Sequence, residues 1–264
     1  MEIIICSSES QVGEVGAAKV AQIARKVGPA VVLGVATGGS PLATYRVLAE
    51  RVRAGNLDLS QASAFALDEY VGLPIDHPQS YFDTIRRTVT EPLGLDPNRV
   101  HVPDGSLDRL ESAGDRYEDL IRQAGGVDIQ ILGIGSNGHI GFNEPTSSLN
   151  SRTRHKTLTD GTRKDNARFF SSLDEVPTGC VTQGLGTIMD ARHSVLVATG
   201  EAKARAIAAI VEGPIMAMWP GSILQMHPDI TVVVDEPAAS KLIQADYYKH
   251  VYADRPDWQK LELL

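Results

Sequence analysis

Short apolar runs alternate with amphipathic stretches along most of the 264-residue chain. The apolar runs are bounded by glycine or polar residues and predict buried strands at residues 3–6, 31–36, 64–67, 100–102, 129–134, 194–199 and 230–234. Between them, apolar residues near the i, i+3, i+4 spacing predict helices at residues 12–26, 41–54, 107–124, 202–211 and 238–251. Strands and helices that alternate in this way are typical of a mostly parallel sheet with helices on both faces. The pattern therefore predicts an α/β fold of three layers, α/β/α, with a Rossmann-like central sheet.

The same pattern predicts a single domain over residues 1–264, because α/β folds of this length often form one domain and no repeat or low-complexity linker divides the chain. One region departs from the alternation. Residues 142–177 are rich in Ser, Thr, Asn and Arg, and irregular stretches of this length inside a compact domain are usually functional or mobile. We expect this region to be lid-like.

The charge, the cysteine content and the N-terminal sequence limit the classes of partner, metal site and cellular location that we expect. The formal net charge of −8 disfavours a nucleic-acid or anionic-membrane surface, since those partners usually require a basic face. Cys6 and Cys180 are the only cysteines and form no C-x-x-C motif, so neither a disulfide framework nor a cysteine-based zinc site is indicated. The N-terminus is typical of a first strand and not of a signal peptide. No apolar run approaches the roughly 18 residues of a membrane span. We expect a cytoplasmic protein.

The first strand end with unusual chemistry is the run ATGGSP at residues 36–41. In an open parallel sheet, ligands bind beyond the carboxyl ends of the strands. Here the strand leads into Gly38 and Gly39, and we expect a helix to begin with Ser40 as its N-cap and Pro41 at its first position. Free N–H groups and the hydroxyls of Thr37 and Ser40 would then converge on one point. The run predicts a phosphate-binding turn, and the alternative is a strand-to-helix turn that binds nothing.

Two further strand ends carry acids or a histidine. Asp68 and Glu69 follow the strand at 64–67, either as catalytic groups or as solvated turn residues. The run GIGSNGHIGFNEP at residues 133–145 contains G-x-G-x-x-G, but Gly141 and Pro145 stand where a dinucleotide-binding motif needs a helix. What this turn delivers to the strand end is His139 and Glu144. An imidazole and a carboxylate on one loop can form an oriented pair in which the acid fixes the tautomer.

Positive charge for an anionic ligand is expected from Arg168 and Lys203. Arg168 is embedded among apolar residues in the run NARFF, and a buried or half-buried cation usually requires an anion. Lys203 opens the helix that follows the strand at 194–199, where the helix dipole opposes a cation. The alternative for Lys203 is a solvent-exposed lysine in the first turn.

Five runs together resemble one known family, the glucosamine-6-phosphate deaminases. They are ATGGSP at 36–41, LDEYVGLP at 67–74, GIGSNGHIGFNEP at 133–145, SRTR at 151–154 and GLGTIMD at 184–190. The resemblance extends in order from near the N-terminus to about residue 237. It implies a cytoplasmic aldose–ketose isomerase of N-acetylglucosamine catabolism. Such an enzyme converts D-glucosamine 6-phosphate and water to D-fructose 6-phosphate and ammonium, without a metal or redox cofactor.

The resemblance implies a role for each candidate residue. Thr37, Gly38, Gly39 and Ser40 would hold the sugar phosphate, with Arg168 and Lys203 neutralising its charge. His139 would open the pyranose ring, and Glu144 would orient it. Asp68 would move the proton from C2 to C1 by way of an enolamine. A carboxylate suits this step if burial raises its pKa.

The sequence departs from part of the family at Asn137, where some members have an aspartate. An amide supplies no negative charge, so Glu144 would be mainly responsible for the basicity of His139. Some members are hexamers activated by N-acetylglucosamine 6-phosphate, and Ser147, Arg154 and Lys156 resemble the residues that bind that effector. The resemblance therefore predicts a homo-oligomer, with a hexamer among its forms, and leaves allostery open.

Two alternatives remain from the sequence. A 6-phosphogluconolactonase-like hydrolase shares the phosphate-binding turn and the Gly-x-Gly-x-x-Gly-His turn, but it requires no base at C2. The other alternative is a non-catalytic sugar-phosphate sensor of a transcription regulator. No helix-turn-helix pattern or basic stretch for DNA accompanies the fold. Both alternatives are less favoured than the deaminase.

Overall fold

The computed structural model describes residues 1–263 and is built around a seven-stranded sheet in which all neighbouring strands run parallel. These residues contain ten strands: β1 (Glu2–Cys6), β2 (Val32–Val35), β3 (Ser63–Ala66), β4 (Asp68–Tyr70), β5 (Val100–His101), β6 (Ile129–Leu132), β7 (Arg154–Thr157), β8 (Gly179–Thr182), β9 (His193–Ala198) and β10 (Ile230–Asp235). The order in the large sheet is β1-β10-β9-β6-β2-β3-β5. Strands β4, β8 and β7 form a second sheet, which is antiparallel.

Helices cover both faces of the large sheet. Residues 1–263 contain nine α-helices: α1 (Glu9–Val27), α2 (Gly39–Arg53), α3 (Tyr81–Ile85), α4 (Leu110–Gln123), α5 (Asp160–Asn166), α6 (Leu185–Met189), α7 (Ala204–Val211), α8 (Glu236–Ala239) and α9 (Ala245–Ala253). A π-helical turn, Arg86–Thr90, continues α3. None of the helices within residues 1–263 has the length and apolar content that a membrane crossing demands.

Successive residues of the central strands point into two different cores. Leu33, Ile131 and Val195 join the core formed with α1 and α2. Their neighbours Leu132 and Leu196 join the core on the opposite face, with α6, α7 and α8. Both faces of the strands are therefore apolar, as expected of a parallel sheet between two helical layers. The layered α/β prediction is confirmed, and each of the seven predicted strands belongs to this sheet.

The small sheet is the part that the pattern did not predict. Strand β4 has only three residues and is separated from β3 by Leu67 alone. Strand β7 has the sequence RHKT, with no apolar residue to mark it. Strand β7 and helix α5 both lie in the region 142–177 that was expected to be irregular. The predicted helix at 238–251 is also wrong as a single helix, because it is divided into α8 and α9.

A close approach between α4 and the small sheet depends on Gly114. A methyl group at this position would lie 2.2 Å from the carbonyl oxygen of Thr153, in the segment that leads into β7. Such a contact is too short for any real Cβ atom, and the obstacle is backbone. Gly114 therefore sets how closely α4 packs against the sheet that also contains Asp68.

Replacing Gly114 with alanine should lower the free energy of unfolding by about 1–3 kcal/mol, because α4 must move away from the small sheet. Alanine alone would favour the helix by about 1 kcal/mol. Gly161→Ala in α5 is the matched control, since the nearest atom to its Cβ would be Thr159 Oγ1 at 3.8 Å. Urea unfolding should show loss of stability in the first variant and none in the second. Equal stability of the two variants would contradict the close-packing interpretation.

Candidate active site

Four neighbouring parallel strands bring the predicted site residues to one edge of the large sheet. In the order β9-β6-β2-β3, all four carboxyl ends lie on the same side. The segments that leave these ends carry, in the same order, Lys203, the turn at 133–145, the turn at 37–40 and Asp68. The topology thus places side by side groups that are far apart in the sequence, at the edge where such sheets bind ligands.

The turn between β2 and α2 presents unpaired N–H groups. The predicted N-cap, Ser40, is wrong by two residues: Gly38 is the N-cap, with φ of 101°, and the helix begins at Gly39. No side chain caps this helix end, so the N–H groups of its first turn are available to a ligand. A methyl group built on Gly38 or Gly39 would meet no atom within 4 Å, so the space in front of the turn is open.

Two cations lie near each other close to this edge. Lys203 ends a 3-10 turn, Glu201–Lys203, that leads into α7, and its side chain is half-buried. Desolvation lowers the pKa of Lys203, the charge of Asp165 raises it, and Arg168 lowers it further. Arg168 is exposed, contrary to the expectation of a buried or half-buried cation, and its guanidinium stacks 4.7 Å from the ring of Phe169. Its apolar neighbour Phe169 thus stacks on the guanidinium and leaves it accessible to solvent.

Asp68 lies on β4, where the two sheets meet, and only 5% of its surface is exposed. It is paired with Thr182 of β8. Its Oδ2 atom would lie 3.5 Å from a methyl group built on Gly141, so the carboxylate faces the glycine-rich turn. Burial, with a smaller contribution from the charge of Glu69, raises the pKa of Asp68 to about 8 against the opposing effect of the N–H of Phe142.

Glu69, the second acid of the pair, is occupied by backbone contacts. Its carboxylate accepts N–H groups from Tyr70 at 2.7 Å, Tyr81 at 2.9 Å and Phe82 at 2.8 Å. Two of these donors belong to the first turn of α3. Glu69 therefore holds the start of α3 against β4, and Asp68 is the acid that faces the site.

His139, Glu144 and Asn137 form one group on the turn after β6. The His139 Nδ1 atom lies 3.5 Å from Glu144 Oε2. Asn137 donates from Nδ2 to the same oxygen at 2.7 Å and accepts the backbone N–H of His139 at 3.2 Å. The amide thus links the carboxylate to the histidine without adding charge. The side chain of His139 is 18% exposed and that of Glu144 only 4%.

Glu144 is held ionised by contacts that the sequence did not reveal. Burial alone would raise its pKa, but contacts with His139, Thr162 and Asn137 lower it to about 2. Its second oxygen, Oε1, accepts the hydroxyls of Thr159, at 3.1 Å, and Thr162. The N-cap pattern of Thr159 before α5 was a detectable signal for a helix start. Nothing in the pattern indicated a partner 15 residues earlier.

The glycines of the G-x-G-x-x-G run shape this turn sterically. A methyl group at Gly135 would lie 2.3 Å from Cε1 of His139, so the imidazole packs on the bare backbone there. Gly138 has φ of 81°, and a methyl group there would lie 2.5 Å from the Trp219 ring. The chain continues into turns and not into a helix. The run is therefore a support for His139, as the absence of helix-forming residues suggested, and not a pyrophosphate cradle.

Of the three residues predicted for an effector site, Arg154 and Ser147 lie beside the same group. Arg154 and Lys156 alternate on β7 and share one face of it. Arg154 donates from Nη1 to Asn143 Oδ1 at 2.8 Å, and Asn143 precedes Glu144. Ser147 is buried, and its hydroxyl has no partner among the described residues. Their part in effector binding stays a prediction.

The arrangement suits proton transfer on a small phosphorylated molecule. It combines an open anion-binding turn, two cations, a carboxyl group that can exchange protons near neutral pH and an imidazole beside an ionised carboxylate. Among residues 1–263, no three His, Cys, Asp or Glu side chains converge as metal ligands would.

Comparison with known proteins agrees with the geometry. Residues 7–233 match the family model described as glucosamine-6-phosphate isomerases/6-phosphogluconolactonase. A glucosamine-6-phosphate deaminase of Cutibacterium acnes is 57% identical over 97% of this chain and 98% of its own length. One of Streptomyces coelicolor is 55% identical over 98% and 99%.

Two solved structures extend the comparison. A protein described as a monomeric glucosamine-6-phosphate deaminase superposes with a TM-score of 0.88 at 40% identity, covering 91% of this chain and 100% of that one. The 6-phosphogluconolactonase of Trypanosoma cruzi superposes with a TM-score of 0.72 at 20% identity, covering 92% and 97%. At that identity, the second likeness shows the fold alone.

The burial of Asp68 should lower the free energy of unfolding. Asp68→Asn should raise this free energy, and the gain should increase with pH. The pKa of Asp68 is about 8 in the folded state against 3.8 for the ordinary side chain. The folded state therefore binds more protons than the unfolded state between these values, and the wild type loses stability as pH rises through that window. Asparagine is neutral throughout, so the advantage of the variant should grow by about 2 kcal/mol or more from pH 5 to pH 8.5.

Urea unfolding at the two pH values measures this effect, with the exposed Asp76→Asn as the control that should show no such growth. A constant difference between wild type and Asp68→Asn at both pH values would mean that Asp68 is ordinarily ionised in the fold.

Proposed function

The chain belongs to the family of glucosamine-6-phosphate isomerases and 6-phosphogluconolactonases, and we propose that it is a glucosamine-6-phosphate deaminase. It converts D-glucosamine 6-phosphate and water to D-fructose 6-phosphate and ammonium, a step of amino-sugar catabolism. The observation that supports this activity best is the position of Asp68. A buried carboxyl group with a pKa near 8 faces the turn that carries His139, at the same sheet edge as the anion-binding turn.

Substrate binding begins with the phosphate. The N–H groups and hydroxyls of Thr37, Gly38, Gly39 and Ser40 hold it at the start of α2, and Arg168 and Lys203 supply positive charge. Anchoring the charged end fixes the sugar relative to the other groups and makes the subsequent steps effectively unimolecular. The exposed, stacked position of Arg168 allows it to approach the phosphate as the ligand arrives.

Ring opening is assigned to His139. The imidazole takes the proton of the anomeric hydroxyl and returns it to the ring oxygen, which gives the open-chain aldehyde. Glu144 stays ionised, since its pKa is lowered to about 2, so it can stabilise the imidazolium that forms during the transfer. Asn137 fixes the geometry of this pair through its contacts with both residues.

Isomerisation is assigned to Asp68. Its carboxylate takes the C2 proton while the C1 oxygen takes a proton from the C2 ammonium, which gives an enolamine. Asp68 then returns its proton to C1 and leaves a C2 imine. Water adds to the imine carbon and ammonia leaves, which yields the ketose. A carboxyl group with a pKa near 8 suits this task, because both of its protonation states are accessible near neutral pH.

Assembly, regulation and location follow from the proposed activity as predictions. The solved deaminase at 40% identity is described as monomeric, so light scattering on this chain is the direct measurement of the predicted homo-oligomer. Activation by N-acetylglucosamine 6-phosphate through Ser147, Arg154 and Lys156 is read from the same assay with and without that sugar. A cytoplasmic location is supported by Cys6 and Cys180, which are buried free thiols.

The decisive experiment is an ammonia assay on the purified protein. Glucosamine 6-phosphate should release ammonia in equal amount to the fructose 6-phosphate formed, and 6-phosphogluconolactone should be hydrolysed no faster than in buffer. Lactone hydrolysis without ammonia release would identify a lactonase. Binding of the amino sugar without turnover of either compound would identify a sensor.

Variants of Asp68 and His139 should fail at different steps. Asp68→Asn should abolish exchange of the C2 proton with deuterium on every substrate while binding is retained, because the only base at C2 is lost. His139→Gln should reduce turnover of the closed-ring sugar by about 100-fold and that of an acyclic analogue far less. Proton exchange followed by NMR distinguishes the two. Equal losses of His139→Gln on both substrates would remove ring opening from the role of His139.

A further inference from the structure

The carboxylate of Glu144 contacts two segments, the turn after β6 and the start of α5. Its Oε2 atom faces the turn after β6, where Asn137 and His139 lie. Its Oε1 atom faces the start of α5, where Thr159 and Thr162 both reach it. Each oxygen therefore belongs to a different contact set, and the orientation of the carboxylate depends on both.

The protons in this cluster can be assigned from the donors and acceptors. The Thr159 Oγ1 atom accepts the backbone N–H of Thr162 at 3.2 Å as the N-cap of α5, which leaves its single proton to donate. Glu144 Oε1 at 3.1 Å is a charged acceptor, and the Thr162 hydroxyl at 3.2 Å is a neutral one. Both hydroxyls therefore donate to Oε1, because charge-assisted hydrogen bonds are the stronger ones. Glu144 and Thr162 are 3% and 5% exposed, so water does not readily replace these contacts.

We propose that Thr159 and Thr162 are positioning residues that fix the carboxylate of Glu144 toward His139 for ring opening. This role rests on the proposed function and deepens it. A carboxylate whose far oxygen is fixed by two hydroxyls cannot rotate away from the imidazole without breaking buried hydrogen bonds. The Thr162 contact is also among the causes that lower the pKa of Glu144 against the effect of burial.

The same segment also reaches the phosphate side of the site. Asp165 of α5 accepts a hydrogen bond from the Ser136 hydroxyl at 3.3 Å, and Arg168 follows in the next turn. Helix α5 and the turn that follows it therefore contact Glu144 at one end and carry Arg168, the cation assigned to the substrate phosphate, at the other. Positioning of the carboxylate is thereby tied to a segment that takes part in substrate binding.

The sharpest variant is Thr162→Val, which keeps the shape of the buried side chain and removes only the hydroxyl. We expect kcat for glucosamine 6-phosphate to fall roughly 10-fold, with KM changed less than about 2-fold, because the effect lies in proton transfer and not in phosphate binding. The pKa of Glu144 should rise, because a hydrogen-bond donor to its ionised carboxylate is lost. Thr162→Ser should restore both the rate and the pKa.

Two further variants separate positioning from folding. Thr90→Val is the matched control, a threonine as buried as Thr162 in the π-helical turn after α3, and it should leave kcat unchanged. Thr159→Gly removes the second hydroxyl but keeps a residue that caps helices almost as well, so it should reproduce the effect of Thr162→Val even if that variant folds poorly. An unchanged kcat in both Thr162→Val and Thr159→Gly would overturn the proposal.

A measurement without substrate makes the inference independent of turnover. In protein labelled with ¹³C at the glutamate carboxyls, and assigned with Glu144→Gln, the pKa of Glu144 should rise by about one unit in Thr162→Val and stay at its original value in Thr90→Val. If the wild type releases no ammonia but this shift is seen, the proposed function fails while the positioning role stands. If ammonia is released and the shift is absent, the positioning role fails alone.

Discussion

The site depends on one costly placement, a carboxyl group removed from water where the two sheets meet. Asp68 is the first residue of β4, and burial raises its pKa to about 8. A shift of this size is a statement about free energy, since each pKa unit corresponds to about 1.4 kcal/mol. The fold must therefore retain Asp68 at the expense of stability. Groups whose pKa is perturbed so strongly are concentrated at functional sites, which supports the proposed role of Asp68.

That placement requires a second sheet that is packed closely against its neighbours. Strand β4 can pair with β8 because glycines allow neighbouring segments to approach the backbone of this region closely. A methyl group at Gly105 would lie 2.1 Å from the carbonyl oxygen of Tyr70, and one at Gly184 would lie 2.0 Å from that of Ser151. These glycines, like Gly114, have no side chain to take part in the chemistry but set the distance between the small sheet and its supports. Asp68 is thus positioned by backbone contacts that no side-chain motif records.

The large sheet could be predicted from the sequence because its strands are continuous apolar runs buried on both faces. The location of the site also followed, since parallel strands present their carboxyl ends together. The small sheet could not be predicted in this way. Strand β7 has alternating exposed residues and no hydrophobic signal, and three residues of β4 are too few for a period. The contact of Thr159 and Thr162 with Glu144 is equally invisible, because it depends on tertiary packing of a helix against a turn. Arg168 shows the converse error: apolar neighbours suggested burial, yet stacking on Phe169 leaves the guanidinium in solvent.

The two carboxylates of the site are chemically identical groups that the fold drives in opposite directions. Asp68 has a charged neighbour and few donors, so desolvation dominates and the pKa rises. Glu144 is also buried, but four side chains surround its two oxygens and the pKa falls to about 2. Such divergence separates the tasks, because only a group near neutrality can both accept and return a proton, whereas a permanent anion can only orient and stabilise. Reversing the environments would leave the imidazole without a charged partner and the C2 carbon with too weak a base. Under the proposed function, the number of donors around each carboxylate, and not burial alone, decides which acid moves protons and which one holds the histidine.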